Sequence, residues 1–194
     1  MIRMALLVAA GLALTGCSKP QLNQETAARV IRESARFREP GFVGVAHQDA
    51  PSDCKAKLAE DADWRALAKI GWLQVHDEDD FERGSQGQAA VKCVGTLSGD
   101  ALRAGAALNT STYDQWRISA ATRELVAIQS ITYVGNGLAT VRFTTRWRLN
   151  AFGGQTLEAA GQEFVGAAVV RHLDGSWQLA DFTSLPDFSP ARQP

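Results

Sequence analysis

Residues 138–150 read LATVRFTTRWRLN, a strand pattern in which two kinds of side chain alternate. Apolar and aromatic side chains recur at every second position, and Arg142, Arg146 and Arg148 stand between them. Because successive side chains of a β-strand point to opposite faces, the pattern predicts one face buried in a core and one basic face. Neighbouring side chains on one face lie about 6.8 Å apart, so the guanidiniums repel each other unless acids, water or an anionic ligand neutralise them.

The basic face has two interpretations. Guanidiniums form bidentate bonds with carboxylates and phosphates, so Arg142, Arg146 and Arg148 are candidate ligand-binding residues. The alternative is a solvated sheet face, or a ladder of ion pairs within the chain. Acidic residues of the same chain beside the arginines would favour the ladder, whereas an open concave surface would favour binding.

Further strands are predicted on both sides of this one. They are rich in β-branched or aromatic residues and cover residues 113–119, 124–134, 162–172 and 176–182. Turn residues separate them, as in Gly-Asn-Gly at 135–137 and Asp-Gly at 174–175. The pattern predicts an antiparallel meander.

The residues before the meander have a different pattern. Apolar residues at helical spacing predict helices over 22–37 and 53–70, with an irregular stretch over 40–51 between them. Two short strands follow at 72–76 and 89–97 and predict a hairpin.

These elements define the predicted organisation. The fold class is α+β, with N-terminal helices plus a short hairpin, then a C-terminal antiparallel meander sheet. Residues 22–109 form the helical and hairpin unit, and residues 110–184 form the sheet unit. Residues 185–194 contain three prolines and are predicted to be a loose tail.

The end of the meander carries a resemblance. Residues 172–182, HLDGSWQLADF, resemble the final hairpin of nuclear-transport-factor-2-like and cystatin-like domains. In those domains helices pack on one face of a curved sheet. The resemblance implies an alternative function, a small-ligand pocket or an enzyme in which His172 or Asp181 lines the cavity.

The N-terminus has the features of a targeting segment. Residues 1–17 read MIRMALLVAAGLALTGC, with one arginine, an apolar run over 5–14, and small residues before Cys17. A run of about ten residues is roughly 15 Å of helix and cannot cross a hydrocarbon core of about 30 Å, so it indicates a cleaved signal peptide over 1–16.

The ending Leu-Thr-Gly-Cys resembles the lipobox of bacterial lipoproteins. The resemblance implies that Cys17 is the lipid attachment site and that residues 17–21 are a lipidated tether. It also implies a membrane partner through the anchor and a location facing the periplasm. Ser18 after the lipidated cysteine implies the outer membrane. The alternative is an ordinary secretory signal with an incidental cysteine.

Two further cysteines, Cys54 and Cys93, remain in the mature chain. In an oxidising compartment they are predicted to form a disulfide bond. Two buried free thiols and a metal pair are the alternatives.

Arg29, Arg32 and Arg36 recur at spacings of three and four and share one face of the first predicted helix. One interpretation is a surface that touches anionic lipid headgroups, and the other is a solvated helix face.

Composition and motifs exclude several classes of function. The formal net charge is -1, which disfavours a nucleic-acid partner. The sequence has no GxSxG, Walker A, GxGxxG, SxxK or HExxH pattern, so it predicts no catalytic residue, no cofactor and no metal site.

The sequence thus favours a membrane-anchored periplasmic lipoprotein that binds a partner protein or an anionic envelope component. A structural envelope lipoprotein is a further alternative.

The anchor gives a direct prediction. Metabolic labelling with palmitate is expected to mark the wild-type chain and to fail for Cys17→Ala, because the sulfur of Cys17 is the attachment atom. Equal labelling of the two chains would contradict the lipobox assignment.

Overall fold

The structure is a computed structural model, and it describes residues 21–47, 53–80, 90–105, 107–109, 115–158 and 161–189. The predicted signal peptide, Cys17 and residues 190–194 of the predicted tail lie outside the described residues. In the described part of the chain, no helix is both long and apolar enough to span a bilayer.

A single antiparallel sheet of six strands makes up most of the molecule. The strands of this sheet are β1 (Gly41–Ala46), β4 (Ala107–Asn109), β5 (Gln115–Gly135), β6 (Leu138–Leu149), β7 (Glu163–Leu173) and β8 (Ser176–Ser184). Their order is β1-β5-β6-β7-β8, and the short strand β4 pairs with the first three residues of β5. A separate antiparallel hairpin is formed by β2 (Leu73–Asp80) and β3 (Ala90–Leu97).

Six helices are distributed along the described chain. They are α1 (Gln24–Glu33), α2 (Ala35–Arg38), α3 (Cys54–Glu60), α4 (Ala62–Lys69), α5 (Gly99–Arg103) and α6 (Gly153–Thr156). The predicted combination of helices and antiparallel sheets is confirmed. The predicted arrangement, with helices first and the sheet second, is present only in part. The described residues are 53% strand and 26% helix, β1 lies between α2 and α3, and α6 follows β6.

The strand β1 occupies a segment that was expected to be irregular. This strand contains Phe42, Val43 and Val45 among small residues, and its backbone pairs with β5 in antiparallel register as far as Gly41 opposite Ala121. The flanking proline and glycines obscure this short strand in the sequence. Strands from both sides of residue 110 therefore belong to one sheet.

The sheet curls into a half-barrel. The register between β5 and β6 shifts at three places, between Leu125 and Ala127, Ile128 and Ser130, and Tyr133 and Gly135. Such bulges bend a strand and increase its twist. The helix α1 lies against β5 and β8, where Val30 and Ile31 pack with Phe143 and other buried residues of the sheet.

Both long predicted helices are interrupted at a capping residue. Ser34 has an extended backbone and its Oγ accepts the amide of Phe37 at 3.3 Å, so α1 ends there and α2 begins. Asp61 divides the second helix in the same way, because its carboxylate accepts the amides of Asp63 and Trp64. Short polar side chains favour helix starts in this manner.

Besides the buried residues between α1 and the sheet, another hydrophobic cluster lies between α3, α4, the hairpin and the first half of β5. Trp64 and Leu67 are fully buried there, next to Cys93. The Sγ atoms of Cys54 and Cys93 are 2.02 Å apart, so the predicted disulfide is confirmed. It joins the start of α3 to β3.

Removing this disulfide is expected to destabilise the protein. The bond closes a loop with a sequence separation of 39 residues. A loop of this length restricts the unfolded chain by about 4 kcal/mol in the chain-entropy description. Chemical unfolding of the double variant Cys54→Ala, Cys93→Ala should show this loss relative to the oxidised wild type. Equal unfolding midpoints would contradict the prediction.

Candidate functional site

The predicted alternation along β6 is present in the structure. Val141, Phe143 and Trp147 are buried, while Arg142, Arg146 and Arg148 are exposed on the other face. The three arginines nevertheless have different surroundings, so they do not form one binding site.

Arg146 belongs to an ion pair within the chain. Its Nε donates to Oε2 of Glu124 on the neighbouring strand at 2.9 Å, and the two residues lie directly opposite each other in the ladder. The hydrogen bond from Arg146 lowers the pKa of Glu124 below its usual value. For Arg146 the ion-pair interpretation therefore holds.

Arg142 is a solvated side chain. It lies opposite Ser130 on β5 and Ala167 on β7, and no carboxylate of the described residues lies within 4.0 Å of it.

Arg148 lines a pocket that the sequence did not reveal. The pocket has a volume of about 390 Å³ and lies beside β5, next to the point where β1 stops pairing at Ala121. Its four guanidiniums and one carboxylate give it a net charge of +3. The lining residues are Arg32, Phe37, Arg38, Thr122, Arg123, Glu124, Leu125 and Arg148. We call this site the arginine pocket.

Arg123 holds one side of the arginine pocket together. Its Nη1 donates to the carbonyl oxygens of Arg36 and Phe37 at 3.0 and 3.3 Å, and its Nη2 donates to the carbonyl of Pro186 at 3.0 Å. Its guanidinium also lies 4.3 Å from the centre of the Trp147 ring. These contacts fasten the end of α2 and the segment after β8 to the sheet.

Burial has the largest effect on the pKa of Arg123. Desolvation lowers the pKa of this guanidinium, while Asp187 and Glu39 act to raise it. Because the unperturbed pKa of arginine is so high, the side chain stays cationic. A half-buried cation whose Nη atoms are satisfied by carbonyls acts as a positioning residue rather than as a free ligand-binding group.

The other three arginines of the pocket are differently placed. Arg32 and Arg38 come from α1 and α2, and Arg148 comes from β6. Among the described residues, no carboxylate lies within 4.0 Å of these three guanidiniums. Their planar N–H groups are therefore available to carboxylate or phosphate oxygens.

The remaining sequence candidates lie elsewhere. The ring of His172 packs against Trp177 at 5.3 Å, and Oδ1 of Asp181 accepts the amide of Phe182 at 2.8 Å. Neither residue lines the arginine pocket. In the described part of the chain, no group of histidine, cysteine or acidic residues is arranged to hold a metal ion.

Comparison of the chain with known protein families, curated proteins and solved structures finds no match. Function is therefore inferred from the residues of the pocket themselves.

Most of the arginine pocket was missed in the sequence for a physical reason. Arg32 was recognised on a basic helix face, and Arg148 on a basic strand face, but the two faces are far apart in sequence. Their meeting depends on the break at Ser34 and on the curl of β5. The tertiary contacts of Arg123 with the end of α2 also help to bring them together.

The positioning role of Arg123 can be tested by measuring the free energy of unfolding. Arg123→Ala should lower the free energy of unfolding by about 2 kcal/mol, since it removes charged hydrogen bonds to three carbonyl groups. Arg142→Ala is the matched control, and a surface change of this kind should stay within about 0.5 kcal/mol. Denaturant unfolding of both variants measures the difference, and equal midpoints would refute the positioning role.

Proposed function

We propose that this chain is a lipid-anchored periplasmic module that binds an anionic group of an envelope component or partner protein in the arginine pocket. The lipobox-like ending at Cys17 supports the anchor. The binding role is supported by one observation above all, that Arg32, Arg38 and Arg148 line a single concave site without carboxylate partners from the described chain.

Electrostatics favours an anion in this pocket. Like charges that share a small volume repel, and an anionic ligand converts this repulsion into attraction. A charged hydrogen bond contributes about 1.5 to 3 kcal/mol, and a guanidinium is able to form two parallel bonds to one carboxylate or phosphate. The protein gains most from a ligand that reaches two or three of these side chains at once.

The size of the pocket fits one small charged group. A volume of about 390 Å³ is near the lower end of the range for small-molecule sites. It accommodates a phosphate or carboxylate together with a short part of the molecule that carries it. The rest of a larger partner would remain outside.

The lining residues favour binding over catalysis. Glu124 is the one carboxylate of the pocket, and its hydrogen bond with Arg146 holds its pKa low. A carboxylate held in the ionised form by such a bond is a poor proton acceptor. Thr122 is the hydroxyl residue of the pocket, and no histidine of the lining is present to activate it.

Binding of pyrophosphate as a probe anion tests the proposal. Titration calorimetry should detect binding to the wild type that weakens as salt is added. The double variant Arg32→Ala, Arg148→Ala removes two charged contacts, so its affinity should fall about 100-fold.

A matched control separates the pocket from net charge. The double variant Arg29→Ala, Arg142→Ala loses the same charge from exposed positions outside the pocket, and it should bind like the wild type. Equal affinity losses in the two double variants would show that the loss comes from the lower net charge, and this would contradict the proposal. Citrate in place of pyrophosphate tests whether the pocket prefers carboxylates.

A further inference from the structure

The end of the sheet opposite the arginine pocket carries exposed apolar residues. The turns of β5–β6 and β7–β8 meet there, and the amide of His172 donates to the carbonyl of Gly137 at 2.7 Å. We call this the hairpin end and define it by five residues. They are Tyr133, Val134, Leu138, Leu173 and Trp177.

Exposed large hydrophobic side chains are concentrated at the hairpin end. Tyr133 is 50% exposed, Val134 67%, Leu138 37% and Leu173 42%. These are four of the eight large hydrophobic residues that are exposed in the described chain. Single exposed apolar residues are ordinary, but a group of them at one end of a domain indicates a contact surface.

The chain enters the fold at this same end. The backbone amide of Leu22 donates to the hydroxyl of Tyr133 at 2.5 Å, and that hydroxyl donates to the carbonyl of Leu22 at 3.1 Å. Gln21 lines a cavity of about 510 Å³ together with Tyr133, Leu138 and Trp177. The first described residues are thus fixed to the hairpin end.

The length of the preceding segment determines what this surface can reach. Leu22 is five positions after Cys17, a distance of at most about 17 Å when the chain is fully extended. If Cys17 is lipidated, as the proposed function states, the hairpin end is held next to the bilayer. This inference rests on that part of the proposed function.

We propose that the hairpin end contacts the bilayer surface and orients the domain on it. Tyrosine and tryptophan favour the boundary between headgroups and acyl chains, and aliphatic side chains gain free energy on leaving water. The two hairpin tips carry one acidic residue, Asp174, and one arginine, Arg171. A surface with so little net charge enters the boundary region at little electrostatic cost.

This orientation directs the arginine pocket away from the membrane. Leu138 begins β6, and Arg148 is its last residue but one, ten positions later, or about 33 Å along a straight strand. The bilayer would contact the first of them, and the pocket beside the second would face the periplasm. A ligand on a periplasmic partner would therefore have access to the pocket.

Depth-dependent fluorescence quenching tests this orientation. The full acylated chain is purified and reconstituted into vesicles of phosphatidylethanolamine and phosphatidylglycerol that contain spin-labelled lipid. One variant, Val134→Cys, carries an environment-sensitive fluorophore at the hairpin end. The control Val165→Cys carries it at a valine that is 48% exposed, eight residues before Leu173 on the same strand.

Each outcome decides a separate point. Vesicle flotation with quenching and a blue shift at position 134, and neither at position 165, is the expected result. Flotation with the same quenching at both positions would overturn the orientation and leave the anchor intact. Failure of the acylated chain to float with the vesicles would overturn the anchor, and the orientation with it.

Discussion

The guanidinium of Arg123 is the contact on which the functional surface depends. It donates to carbonyls of α2 and of the segment after β8, and it lies against the ring of Trp147 on β6. Three separate parts of the chain therefore meet at one cation. The carbonyls at the end of α2 are suited to this cation because they lack partners within their own helix. With α2 fixed in this way, Arg32 and Arg38 lie beside the strand that carries Arg148.

The sheet has two chemically different ends. At one end, Tyr133 binds the entering chain and is surrounded by exposed apolar residues. At the other end, cationic side chains line a concave site. The sheet is curled, with bulges between β5 and β6, and α1 packs against β5 and β8. In the proposed function, anchoring and ligand binding take place at opposite ends of the sheet, so neither would block the other.

The local features of the fold were largely predictable from the sequence. Period-two alternation correctly predicted which face of β6 is buried. The number of cysteines in the mature chain correctly predicted the bond between Cys54 and Cys93. Features that depend on distant residues were not predictable. The Glu124–Arg146 ion pair requires the register between β5 and β6, and bulges change that register. Arg123 stands in the sequence as one arginine among many, and only its tertiary partners give it a role.

Side-chain proton–nitrogen spectra of the arginines test the central claim most directly, because each guanidinium reports its own environment during a titration with pyrophosphate. We expect the signals of Arg32, Arg38 and Arg148 to shift and saturate together, whereas those of Arg142 and Arg171 stay unchanged. Uniform, non-saturating shifts of all arginine signals would contradict it, because they would show that the anion interacts with the surface charge and not with the pocket.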